Sequence, residues 1–249
     1  MKDLIYKRWL PILGKDYIGQ QSLVGIKEFV SAVEKNIEQG NLILDIGCGN
    51  GAVACYLSKQ KGVSIIGIDI NPENIKIAQS LLIKRKQNSY ISFFVKDFDN
   101  FDLPNYYNKF DFIYSIDVLQ YSRNLSSCLK NINRFVKQNV FFYATIWCFT
   151  NTEELNQLSN DWGFTRTYDS SDIITAFESA RYIIVKFEDN TDLFMQRCKS
   201  SLKSLNDLES DFRGTFGDNV YEARLSLERR TVENIKLGLI KRINIMAKI

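Results

Sequence analysis

A chain of 249 residues can bury one substantial hydrophobic core and does not by itself call for two domains, so a single domain over 1–249 is expected. Its net charge of +3 is small and its basic residues are dispersed, apart from a short cluster at Lys84, Arg85 and Lys86, which makes nucleic acid and membrane surfaces unfavoured partners. The cysteines Cys48, Cys55, Cys128, Cys148 and Cys198 are odd in number and contain no Cys-x-x-Cys pair, so neither a disulfide framework nor a zinc site is indicated, and a cytoplasmic monomer or homodimer is expected.

In chain order, 3–12 and 20–38 read as helices joined by a segment containing Gly14, Tyr17 and Gly19, so that 1–40 forms a helical N-terminal segment. From 41 to 149, short apolar runs alternate with amphipathic stretches, the pattern of βαβ units around a parallel sheet. The runs at 42–46, 64–70, 91–95, 110–116 and 140–146 are almost continuously hydrophobic, as strands covered on both faces are. The stretches 51–59, 72–86 and 125–137 read as helices, the second with Pro72 at an early helical position and Asn71 available as its N-cap. The remaining part, 150–249, opens with a polar stretch at 151–169 carrying Trp162-Gly-Phe164. Ser170 or Ser171 can cap a helix through 180, and 181–187 reads as a sixth strand. A long helical stretch at 191–236, interrupted around 214–217, leads to a seventh strand at 239–247. The expected fold class is α/β, with a doubly wound, mostly parallel seven-stranded sheet.

The segment Leu42-Ile-Leu-Asp-Ile-Gly-Cys-Gly-Asn-Gly51 is an apolar strand running into three closely spaced glycines and then a helix. Glycines allow positive φ and let the backbone approach a ligand. The same residues satisfy the loose G-x-G-x-x-G/A pattern of dinucleotide sites, but Asp45 would set a carboxylate beside the pyrophosphate. S-adenosylmethionine has no phosphate and carries an ammonium and a sulfonium, so an acid there matches it. Asp69 ends the second run, where it can accept hydrogen bonds from both ribose hydroxyls, and Asp97 ends the third, where it can accept from an adenine amino group with Phe98 against the ring. The plainer alternative is that each aspartate only caps a helix or turn.

With those residues in view, 42–51 resembles motif I of the class I S-adenosylmethionine-dependent methyltransferases. The stretch 65–69 resembles the acidic motif after it, 95–98 the adenine-contacting motif, and 110–117 the fourth-strand motif. Trp9-Leu-Pro-Ile-Leu-Gly14 and Tyr17-Ile-Gly-Gln-Gln-Ser22 are similar to the opening segment of a small-molecule branch with ubiquinone-pathway-like, glycine/sarcosine-type and natural-product members. Phe187-Glu-Asp-Asn-Thr191 and the segment 237–248 are similar to that branch's strand-to-lid junction and closing strand. The resemblance implies a Rossmann-like domain, a helical lid between the last two strands, S-adenosylmethionine as cofactor and S-adenosylhomocysteine as product. The cofactor residues it points to are Asp45, Gly47, Cys48, Gly49, Asp69, Ile70, Asp97, Phe98 and Ser115.

The chemistry this implies is in-line displacement at the sulfonium methyl by a small-molecule acceptor, with positioning and exclusion of water as main contributions. The topology puts Tyr17, Gln20, Asp117, Gln120, Tyr121 and Trp147 beside the methyl group as substrate contacts, with Tyr17, Asp117 and Tyr121 as candidate catalytic groups. Each also has an ordinary packing or capping role. The chain has no histidine, which excludes a histidine base and favours nitrogen over oxygen acceptors. No metal is expected, because Asp97 and Asp99 form the only local carboxylate cluster. A peptide or protein acceptor and a non-catalytic, cofactor-binding regulatory subunit are the alternatives.

Overall fold

The computed structural model describes residues 23–86, 89–150 and 162–249. The helix expected at 3–12, and with it Tyr17 and Gln20, lies outside the described residues. Within them the order is α1 (Leu23–Val33), β1 (Leu42–Ile46), α2 (Ala52–Lys61), β2 (Ser64–Asp69), α3 (Pro72–Arg85), β3 (Ile91–Val95), β4 (Phe110–Ile116), α4 (Leu125–Ile132), β5 (Val136–Phe149), α5 (Ser170–Ser179), β6 (Ile183–Asp189), α6 (Thr191–Asp207), α7 (Glu209–Phe216), α8 (Asp218–Lys236) and β7 (Ile240–Lys248).

The strands form one seven-stranded sheet in the order β3-β2-β1-β4-β5-β7-β6. The neighbours among β1 to β5 pair in parallel, whereas β7 runs antiparallel to both β5 and β6, so the sheet is mixed. Successive residues of a strand face opposite layers. Ile43 of β1 packs with Phe112, Tyr114 and Tyr143 under α1 to α3, and Leu44 packs with Ile113 and Phe142 under α4 and α5. All but Tyr143 of these side chains are 0 % exposed, each buried apolar one stabilising by about 1.5–3 kcal/mol. Strand order reverses between β1 and β4, which opens a crevice at the carboxyl ends of the strands, the usual ligand site of such sheets.

Several boundaries differ from the sequence expectation. The stretch 125–137 is helical only to Ile132; a tight turn at Asn133–Phe135 follows, and Val136 already belongs to β5, paired with Phe110. The cap of α5 is Asp169, not Ser170 or Ser171: its carboxylate accepts from the Asp172 amide at 2.8 Å, closing a reciprocal box with Asp172. The stretch 191–236 breaks at Leu208 as well as at Gly217, giving three helices. Asn71 does cap α3, accepting from the Glu73 amide at 2.9 Å with Pro72 in the first turn. Among the described residues no helix is long and apolar enough to cross a membrane, and all five cysteines are buried and free.

Candidate functional site

The loop after β1 sits at the point where strand order reverses. Gly47 has φ +74°, and a Cβ there would lie 2.2 Å from a Val118 methyl, so the position admits glycine alone on two counts. The loop amides are engaged inside the fold. Those of Gly47 and Cys48 donate to the Ile68 carbonyl at 2.8 and 2.9 Å, and that of Gly49 donates to Asp69 Oδ2 at 2.9 Å. The Gly51 amide donates to the Cys48 carbonyl at 3.0 Å. In dinucleotide sites such amides bind the pyrophosphate. Here they are spent, and the acids around them leave a site rich in acceptors, which suits a cationic, hydroxyl-bearing ligand over a polyanion.

Asp45 is 3 % exposed and stands in register with Tyr114 of β4, whose hydroxyl donates to Asp45 Oδ2 at 2.7 Å. Burial first, and then the neighbouring Asp45 charge, push the Tyr114 hydroxyl well above its usual range, so it stays a proton donor that fixes the acid beneath the loop. Asp69 closes β2 and holds the loop to α3: besides the Gly49 amide it accepts from the Asn71 amide at 2.9 Å and the Asn74 side chain at 3.3 Å. Ile70 beside it is 60 % exposed, an apolar surface at the carboxyl edge of the sheet.

Asp97 and Asp99 are both paired with the exposed Arg123, at 2.5 and 2.9 Å, and Asp99 also accepts from the Ser122 hydroxyl. The loops after β3 and β4 are thereby tied together. Cys48 and Phe98 are buried in the two opposite core layers, and the Ser115 hydroxyl donates to the Ile46 carbonyl at 3.2 Å within the sheet.

The other half of the crevice is organised by Asp117, just past β4. Its φ is +56°, a left-handed conformation that costs about 1–2 kcal/mol for a residue with a Cβ. Its amide donates to the Thr145 carbonyl at 3.0 Å, and its carboxylate receives two bonds from Arg242 of β7, Nε at 2.7 Å and NH2 at 3.2 Å. Arg242 is 2 % exposed and also donates to the Thr145 hydroxyl at 3.0 Å. Burial alone would lower its pKa, but the charge and hydrogen bonds of Asp117 outweigh that and raise it. Both carboxylate oxygens of Asp117 are therefore held by Arg242.

Residues 37–200 match a family described as methyltransferase domain. The chain belongs to that family. By that match and its sheet order it is a class I, S-adenosylmethionine-dependent methyltransferase domain. The chain is similar to phosphoethanolamine N-methyltransferase 1 of Arabidopsis thaliana, 25 % identical over 240 residues that make up 93 % of this chain and 48 % of that one. It spans about half the length of the plant relatives it matches. Among solved structures, phosphoethanolamine N-methyltransferase 2 of Haemonchus contortus, in complex with phosphomonomethylethanolamine and S-adenosylhomocysteine, superposes with a TM-score of 0.86 at 18 % identity, covering 100 % of this chain and 57 % of that one. A putative sarcosine dimethylglycine methyltransferase of Galdieria sulphuraria superposes at 0.83 and 15 % identity, covering 92 % and 85 %. At these identities the structural likeness speaks for the fold.

In this methyltransferase domain, Asp45, the glycines and Asp69 converge on one loop, whereas Asp117 belongs to a separate ion pair. Gln120 and Trp147 are 1 % and 2 % exposed, and Gln120 Oε1 and Trp147 Nε1 are buried with no hydrogen-bond partner among the described residues. Tyr121 lies against Phe164 at 4.8 Å between ring centroids, and Trp147 packs edge-on to Trp162 at 5.2 Å. Sequence reasoning missed Tyr114, Arg123 and Arg242. The signal for Arg242 was present, a charge at an inward position of an otherwise apolar closing strand, but its partner stands 125 residues away.

Proposed function

We propose that this domain transfers the methyl group of S-adenosylmethionine to a nitrogen of a small-molecule acceptor, releasing S-adenosylhomocysteine. The observation that carries the reading is the loop at 45–51, with its amides turned inward and carboxylates at Asp45 and Asp69 on either side. The residues fit the cofactor: Asp45 offers negative charge beneath the loop, Asp69 would hold the ribose, exposed Ile70 offers an apolar face for the adenine, and Asp97 would accept from its amino group. Once bound, S-adenosylmethionine supplies a methyl carbon on a positive sulfur, which an acceptor lone pair displaces to leave a neutral thioether.

The chain's own part is positioning and exclusion of water. Asp117, fixed by Arg242, sets the backbone after β4, and Val118 then fills the space beside Gly47. Helices α6 to α8, inserted between β6 and β7, would serve as the lid, with Trp147, Phe164 and Phe194 closing the apolar end of the crevice. Nitrogen is favoured because no histidine exists, Asp117 is anchored, and burial pushes the Tyr143 hydroxyl up to about 12. An amine can release its proton to water before attack, whereas a hydroxyl needs a base in place. The test is methyl transfer from labelled S-adenosylmethionine to small amines and to their hydroxyl analogues. Transfer to the hydroxyl series alone would overturn the nitrogen reading.

A further inference from the structure

A cavity of about 510 Å³ lies on the α1 side of the sheet, between α1, the middle of β5, the end of β6, the start of α6 and β7. Val53 and Ile116 bring it next to the glycine loop, but no residue of 45–51 lines it. Two cations face it. Arg242 is held by Asp117 and Thr145 through Nε and NH2, and its NH1 donates to Asn244 at 3.5 Å, whereas Arg197 of α6 is 9 % exposed, pairs with Glu28 of α1, and has a buried Nε with no hydrogen-bond partner among the described residues. Burial first, and then the charge of Arg242, lower the Arg197 pKa to about 10, so it stays charged at neutral pH. The acids facing the same space are Glu28 and, at the rim, Glu188 and Asp189, which pair outward with Lys186 and Lys241.

This wall sorts ligands by charge. A simple anion reaching Arg197 meets three carboxylates, and a simple cation leaves the buried donor unsatisfied. A molecule carrying both signs answers both, and the volume lies in the range of small-molecule sites. We propose that this cavity is the acceptor pocket and selects a zwitterionic amine, its carboxylate or phosphate on Arg197 and its ammonium beside Glu28. The proposal rests on the methyl-transfer reading above. The amino-acid end of the cofactor carries the same two charges, and the absence of the glycine loop from the lining is what assigns the cavity to the acceptor.

The experiment is calorimetry on the full chain saturated with S-adenosylhomocysteine, titrated with sarcosine, dimethylglycine and phosphoethanolamine, and separately with ethanolamine and inorganic phosphate. At least one zwitterion should bind about tenfold more tightly than either single-charge probe, as a charge-assisted hydrogen bond implies. Arg197→Gln should weaken that binding about tenfold and Glu28→Gln by less, with Arg197→Lys in between, while the affinity of all three variants for S-adenosylhomocysteine stays at the wild-type value. That second readout also reports that each variant is folded. The proposal is overturned if none of the three zwitterions binds the wild type, or if Arg197→Gln binds them as the wild type does. It is equally overturned if S-adenosylhomocysteine affinity falls in step, which would give the cavity to the cofactor's own tail. Failure of the wild type to bind S-adenosylhomocysteine would instead strike the methyl-transfer reading.

Discussion

The two halves of the crevice are held in different ways. Around β1 and β2 the site is made by contacts between neighbouring strands: the Gly49 amide reaches Asp69 only 20 residues on, and Asn71 and Asn74 complete that acid's bonds from the next helix. Around β4, β5 and β7 it is made by an ion pair spanning 125 residues, Asp117 with Arg242, closed by an antiparallel strand. The half proposed for the cofactor is thus a local, backbone-dominated device, and the half proposed for the acceptor a long-range, side-chain-dominated one. A shared cofactor and varied acceptors suit that division, because a side-chain lattice can be changed without disturbing the loop.

The largest expected effect breaks the acceptor half. Arg242→Leu leaves the partly buried Asp117 carboxylate without its cation, with only the Thr145 hydroxyl donating to it, and should cost about 3 kcal/mol, read by thermal or denaturant unfolding. Adding Asp117→Asn should recover part of that loss. If Arg242→Leu unfolds like the wild type, the ion pair does not hold this half together. Next comes Gly47→Ala, which forces a side chain into the left-handed region and against Val118, and should destabilise by about 1–3 kcal/mol. Val118→Ala in the same chain removes the two methyls at 2.2 and 2.6 Å but keeps the Val118 Cβ at 2.8 Å and the backbone strain, so rescue should be partial. Complete rescue would show that the strain is absent.

Asp69→Ala probes the half proposed for the cofactor. It should weaken S-adenosylhomocysteine binding at least about tenfold, roughly 1.4 kcal/mol, with the fold largely intact. Wild-type affinity in calorimetry would remove the ribose assignment. The smallest effect belongs to the periphery of both halves. Asp169→Ala removes the α5 cap and should cost about 1 kcal/mol. The Asp169 carboxyl lies below its usual range because the Asp172 amide, and then the Ser171 hydroxyl, favour its charged form. Its stabilisation is therefore complete above the ordinary carboxylate pKa and fades as pH falls through the lowered one. The stability gap between wild type and Asp169→Ala should narrow in acid; a gap unchanged there would contradict the cap's charge.

The same division explains what the sequence made legible. The strands at 42–46 and 91–95, the Asn71 cap and the strand-end acids Asp45, Asp69 and Asp97 were readable because each is coded by residues close together in the chain. Asp117 stands out in the sequence but its pairing with Arg242 does not, since Arg242 lies on the last strand and no local pattern joins them. The early end of α4 and the break at Leu208 were hidden for a related reason: helical periodicity continues through both, and pairing of Val136 with Phe110 decides the first against local preference. Tyr114 read as one more apolar strand residue until the register set its hydroxyl against Asp45.

The central claim is that the loop at 45–51 is a methyl-donor site despite also satisfying a dinucleotide pattern. Calorimetry of the wild-type chain against S-adenosylmethionine, S-adenosylhomocysteine and NAD tests it most directly. Both sulfur ligands should bind, about tenfold or more weaker in Asp69→Ala, with no saturable binding of NAD. Saturable NAD binding with no affinity for either sulfur ligand would contradict it.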